Sequence, residues 1–211
     1  MKLFISADIE GCVGTTLASE THKETPEYRQ FAKRMTDEVR IVCQAALEAG
    51  ADEIVVKDGH GDATNIDFTA MPEGVTLIRG KSGHPYNMMF GLDETFDGVL
   101  YVGYHAPAGN GGNPISHTST GNSNQILLNG KVMSEFMLNT YTAAMMGVPA
   151  VFISGDEGIC GLAREMVPGI TTAAVKKGVG ACTINMSVAA ADRLLKEKVK
   201  EALSGDLKAC R

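Results

Sequence analysis

Ser6-Ala7-Asp8-Ile9-Glu10-Gly11 follows the apolar run Leu3-Phe4-Ile5, almost at the start of the chain. The run is continuous and does not alternate, which is the pattern of a short strand buried on both faces. Gly11 supplies the turn that ends it. Asp8 and Glu10 therefore stand two residues apart at the carboxyl end of this strand. In extended backbone a period of two aims both side chains to one side. Two carboxylates that close repel each other unless a cation lies between them. A solvated acidic turn is the plain alternative, and the rest of the chain has to decide between the two.

Working outward, Thr25 reads as the N-cap of a helix with Pro26 at its first position and Gly50 just past its end. Phe31, Met35, Val39, Val42, Ala46 and Leu47 recur along it at helical spacing. Further strands are expected at residues 54–56, 75–78, 99–103, 150–153 and around 171–175. The runs 125–128 and 131–133 flank Asn129-Gly130, the strongest hairpin signal in the chain. Ser134 caps a helix over 135–146, closed by Gly147, and a short helix ends near Met166. A last amphipathic helix over 188–203 starts behind Ser187. Strands alternate with helices, so the fold class is α/β. A mainly parallel β-sheet flanked by helices is expected, with a smaller C-terminal portion that includes the β-hairpin. One domain over 1–211 is expected, with a soft sub-division near residue 120.

Composition narrows the function. Hydrophobic residues make up 44% of the 211 and charged residues 21%, enough for a sizeable core in a globular protein. A net charge of -6 argues against nucleic acid as the main partner. No stretch approaches the ~20 apolar residues that span a bilayer, so no membrane partner is expected. No signal peptide is read at the N-terminus. The five cysteines are scattered, odd in number and form no Cys-x-x-Cys, which points to free thiols and a cytoplasmic protein.

In open α/β sheets, ligands bind outside the carboxyl ends of the strands. Three early strands end there in metal-capable groups: Asp8 and Glu10, then His60, then His105. A lone histidine after a strand is commonly a turn residue, but three strand ends carrying such groups are hard to assign to chance. Glu135 is a fifth candidate, although a glutamate in a helix's first turn also suits the helix dipole. Three carboxylates and two imidazoles without a thiolate suit zinc, and also manganese, cobalt or iron. Five ligands are too many for one catalytic zinc, and suit two ions sharing a carboxylate at ~3.5–4 Å. Hydrolysis is the natural reaction class for such a pair. The competing signatures are absent: there is no P-loop, Gly-x-Gly-x-x-Gly, Gly-x-Ser-x-Gly or His-Glu-x-x-His. Residues 107–121 form a Gly-, Pro- and Asn-rich loop that holds His117, too long to be a mere connection.

These residues resemble a known family, the M55 metallopeptidases, D-aminopeptidases of the dipeptide-transport operon type. The carriers are Ser6-Ala7-Asp8-Ile9-Glu10-Gly11, Asp58-Gly59-His60, Gly91-Leu92-Asp93-Glu94-Thr95-Phe96-Asp97-Gly98, Gly103-Tyr104-His105-Ala106, Ser116-His117, Asn129-Gly130 and Thr171-Thr172-Ala173-Ala174-Val175-Lys176. The resemblance implies two zinc ions (Zn2+) per subunit, held by Asp8, Glu10, His60, His105 and Glu135, with Asp8 bridging. It implies a catalytic role for His117, as acid/base or as nucleophile. It also implies a short-peptide substrate with an N-terminal D-amino acid, and a homo-oligomer, which in relatives is a ring-shaped decamer. Two other readings stay open: a dinuclear hydrolase of another amide or a phosphoester, and an inactive metal- or peptide-binding relative.

Overall fold

The computed structural model describes residues 1–210. β1 (Lys2–Ala7) runs inside the sheet, with Leu3, Phe4, Ile5 and Ala7 completely buried. The remaining strands are β2 (Glu53–Asp58), β3 (Val75–Ile78), β4 (Gly98–Tyr104), β5 (Leu127–Leu128), β6 (Lys131–Val132), β7 (Ala150–Asp156), β8 (Thr171–Val179) and β9 (Cys182–Asn185). The helices are α1 (Tyr28–Glu48), α2 (Glu135–Met145), α3 (Glu157–Met166) and α4 (Val188–Ser204). Seven strands form one sheet in the order β3-β2-β1-β4-β7-β8-β9, parallel except for the last pairing. β5 and β6 form a separate antiparallel hairpin.

β1 pairs with β2 on one side and β4 on the other, so Ile5 sits opposite both Val56 and Leu100. The chain winds outward from β1 toward β3, then from β4 toward β8. Right-handed crossovers then put α1 on one face and α2 and α3 on the other. α1 packs against α4, and α2 against α3. The reversal of winding between β1 and β4 opens a crevice beyond their carboxyl ends, the usual ligand position in such sheets.

Several boundaries differ from the sequence reading. α1 begins at Tyr28, not at Pro26, because Thr25 does not cap it. The Thr25 hydroxyl instead donates backward to the Ser19 and His22 carbonyls, closing the preceding turn. The far end is as expected: Gly50 has φ +94°, its N–H reaches the Leu47 carbonyl, and Ala51 N–H reaches Ala46. That pair of bonds is a Schellman closure. β8 runs on to Val179 and folds back into β9, an antiparallel edge that the Lys176-Lys177-Gly178 interruption concealed. Asn129 and Gly130 both have positive φ, as a tight two-residue hairpin turn needs. Ser134 and Ser187 cap α2 and α4 as expected. The sheet runs through residues on both sides of position 120 without a break.

One close approach fixes the site's scaffold. Gly11 N–H donates to the Gly103 carbonyl at 2.8 Å, laying the loop after β1 across the end of β4. A Cβ at Gly11 would lie 1.8 Å from the Tyr104 carbonyl oxygen. Gly11→Ala is therefore expected to cost about 3 kcal/mol, the upper end for overpacking. For a chain of this size that is roughly 6–12 °C in Tm. Thermal denaturation checks it; a Tm equal to wild type would show that the loop yields freely.

Candidate metal centre

Asp8 continues the ladder past the end of β1, its N–H bonding the Val102 carbonyl at 2.8 Å. Both Asp8 and Glu10 are almost fully buried, at 2% and 3% exposure. The Glu10 carbonyl is held by Asn113 Nδ2 at 3.0 Å and by the ammonium of Lys176. With the backbone tied from both sides, the two carboxylates turn to the same partner. His60 Nδ1 lies 3.3 Å from Asp8 Oδ1 and 3.1 Å from Glu10 Oε1.

His60 follows β2 in a loop shaped by the buried carboxylate of Asp58. Asp58 accepts from the backbone N–H of Asn65 and Ile66 and from Asn65 Nδ2. Asn65 Nδ2 also donates to the His60 carbonyl at 2.7 Å. His105, just past β4, is buried, with Nε2 at 3.5 Å from Asp8 Oδ2 and 3.9 Å from Glu135 Oε2. Glu135 opens α2 behind its Ser134 cap and accepts from Ser119 N–H at 2.8 Å. His117 stacks on His105, with centroids 4.4 Å apart and planes 19° apart, and brings Nε2 to 3.7 Å from Glu135 Oε1.

The three imidazoles share one arrangement. His60 Nε2 bonds the Thr21 carbonyl, His105 Nδ1 the Ala106 carbonyl and His117 Nδ1 the Ile115 carbonyl, at 2.9, 2.9 and 3.1 Å. A carbonyl only accepts, so those nitrogens carry protons and the other nitrogen of each ring faces the acids. This is how metal-ligating histidines are oriented.

Electrostatics shows what the cluster lacks. Burial pushes the Asp8 carboxyl up, and the charge on Glu10 pushes it further. Burial is the largest single influence on Glu10 and works against its charge, but the His60 charge and hydrogen bond, the His105 charge and the hydrogen bond with Asp8 together outweigh it and hold that carboxyl well below the usual range. His60 is penalised by burial yet lifted by Glu10 and Asp8 to about 11, and His105 by Glu135, Asp8 and Glu10 to about 9. The acids thus pull protons onto imidazoles that burial alone would keep neutral. Glu10 Oε2 and His105 Nε2 are still buried without a hydrogen-bond partner. A divalent cation held here would give both atoms a partner and take the place of the borrowed protons. Ligand atoms of Asp8, Glu10 and His105 lie within 4.8 Å of one another, and so do those of His105, His117 and Glu135. The residues fit metal.

All six residues singled out in the sequence are therefore brought together, and all but the buried His105 line a cleft of about 430 Å³. Residues that sequence reading left without a role are those holding the loops. Asn113 Nδ2 joins the Glu10 carbonyl to Asp156, which also accepts from Ala106 N–H and caps α3. Asp156 is legible as a helix cap; nothing in the sequence pairs it with Asn113.

The family model for peptidase M55, described as D-aminopeptidase, matches residues 1–210. This chain belongs to the M55 D-aminopeptidase family. As a family member it is a hydrolase, a metallopeptidase. The M55 chain is 33% identical over 204 residues to a D-aminopeptidase of Bacillus subtilis (strain 168), covering 96% of this chain and 74% of that protein. It is also similar to the solved structure of the "Zn-dependent D-aminopeptidase DppA from Bacillus subtilis, a self-compartmentalizing protease". There the TM-score is 0.92 at 32% identity, over 97% of this chain and 74% of the other.

Proposed function

We propose that this M55 chain is a dinuclear zinc aminopeptidase that removes the N-terminal residue of short peptides, those beginning with a D-amino acid foremost. The observation that carries the dinuclear reading is the posture of Asp8. Its Oδ1 faces His60 and its Oδ2 faces His105, so one carboxylate serves two neighbouring ligand groups. Asp8, Glu10, His60, His105 and Glu135 would hold the two ions, with Asp8 shared. Zinc is the metal that the solved relative's description supports, and carboxylate with imidazole is a donor set that suits it. Bound zinc would lower the pKa of water and polarise the scissile carbonyl.

The chain's own residues then divide the remaining work. His117 is the ring left partly open to the cleft, with 26% of its side chain exposed against 1% for His105. Its Nδ1 is committed to Ile115, which leaves Nε2 to exchange a proton with substrate. We assign it acid/base help. D-selectivity is supported by the family description and both relatives.

The relative's description as self-compartmentalizing supports a homo-oligomer, and a ring-shaped decamer is the form we propose. Leu138, Tyr141 and Met145 are exposed on α2, an apolar stripe consistent with assembly. A single functional domain over the chain accords with the unbroken sheet. A cytoplasmic location accords with five free cysteines. Among the described residues no helix is long and apolar enough to cross a membrane.

Zinc reconstitution followed by elemental mass spectrometry should give two equivalents per chain; one or fewer would refute the dinuclear reading. D-alanyl-D-alanine, its L,L counterpart and an aryl phosphate then test the reaction. Turnover should be largest on the D,D dipeptide, and preference for the phosphate would instead make the chain a phosphoesterase.

A further inference from the structure

The cleft above the carboxylates has one lysine and no arginine on its walls, Lys81. Its position follows from the fold. β3 ends at Ile78 and the chain turns at Gly80, where φ is +83°. Gly80 is held from two directions: its N–H donates to the Ala63 carbonyl at 2.6 Å, and its carbonyl accepts from Lys57 Nζ at 3.0 Å. The backbone leading into Lys81 is therefore tied down, while the side chain is exposed. The neighbouring lysines are committed elsewhere. Lys57 is buried on the Asp58 and Gly80 carbonyls, and Lys23 pairs with Asp62 at 2.6 Å. Among the described residues the Lys81 ammonium has neither an ion-pair nor a hydrogen-bond partner.

The cleft is thus polarised. Glu135 and His117 lie on the β4 side, Asp8 and Glu10 follow β1, and Lys81 follows β3. β3 lies two strands from β1, so the two strand ends are about 10 Å apart. An extended dipeptide spans roughly 7 Å from end to end. A lysine side chain bridges the remainder.

We propose that Lys81 binds the C-terminal carboxylate of the substrate and so selects di- and tripeptides with a free C-terminus. This rests on the aminopeptidase reading: with the substrate's first residue at the acids of the metal centre, its other end is directed along the cleft. An ammonium without an internal partner, on an anchored backbone, suits a carboxylate that arrives with the ligand.

The test is the ratio of kcat/KM on D-alanyl-D-alanine to that on D-alanyl-D-alaninamide, measured for zinc-loaded wild type, Lys81→Met and Lys81→Arg. Wild type should favour the free acid. Lys81→Met should lower the ratio about ten- to hundredfold, the range for a hydrogen bond to a charged group, through KM rather than kcat. Lys81→Arg should restore most of it. Calorimetric affinity for a reduced-amide analogue of the same dipeptide, which binds without turnover, should weaken by the same factor in Lys81→Met. An unchanged ratio and affinity in Lys81→Met would overturn the lysine assignment and leave the aminopeptidase reading standing. Turnover of neither substrate by wild type would overturn the aminopeptidase reading, and the assignment with it.

Discussion

Asp8→Ala is expected to reduce turnover to background and to release both zinc ions together. The two oxygens of Asp8 face His60 and His105, both proposed ligands, whereas Glu10 faces His60 alone and the oxygens of Glu135 face His105 and the acid/base residue His117. Loss of Glu10 or of Glu135 should therefore weaken one ion more than the other, while loss of Asp8 weakens both. Metal content by elemental mass spectrometry, beside peptide hydrolysis, reads this directly. Retention of one tight equivalent in Asp8→Ala would mean that the carboxylate is not shared.

Misfolding is the obvious confounder, and Asp8→Asn separates it. In the absence of zinc, burial and the Glu10 charge both work against an ionised Asp8. A carboxyl whose folded pKa is raised contributes no stability at neutral pH, so its neutral isostere should melt no lower than wild type without metal. Adding zinc should then raise the Tm of wild type alone, because only a ligand that binds the folded state shifts the midpoint.

His117→Ala is the second large effect, and a different one. Removal of acid/base help typically costs about 10²–10⁴-fold in rate. The loss is expected in kcat, with both zinc ions retained. His60→Ala and His105→Ala should instead lose metal, since those rings face Asp8 at 3.3 and 3.5 Å. The contrast is sharp because His117 and His105 are stacked, with centroids only 4.4 Å apart. Proximity alone does not separate a ligand from a proton carrier. If His117→Ala loses zinc, then His105, His117 and Glu135 together hold an ion. If it turns over at the wild-type rate, His117 is a bystander.

The candidate site was largely legible from the chain because its parts lie where continuous apolar runs stop. Asp8, Glu10, His60 and His105 each follow a buried parallel strand within a few residues. Parallel strands bring all such ends to one edge of the sheet, so order along the chain becomes proximity in space. The hairpin at Asn129-Gly130, the Ser134 and Ser187 caps and the closure at Gly50 were readable for a similar reason. Each is a local interaction completed within a few residues.

What failed to show was whatever needed a distant partner. Thr25 reads as a helix cap until the Ser19 carbonyl, brought back by the loop, takes its hydroxyl. Lys176 reads as the polar end of a strand, yet it is buried, with its ammonium on the Glu10 and Thr15 carbonyls. That contact spans 166 residues, and it lets β8 continue toward β9. Asn113 and Asp156 belong to the same class, joined across 43 residues beneath Glu10. By itself, the sequence determined the α/β class, the strand ends and the acids and imidazoles that gather there, since these follow from hydrophobic pattern and turn chemistry. Only the tertiary structure decided that Asp8 turns one oxygen to each histidine and that Lys81 stands unpaired across the cleft. Those are matters of ångströms between residues far apart in the chain, and side-chain direction at that scale is set by packing.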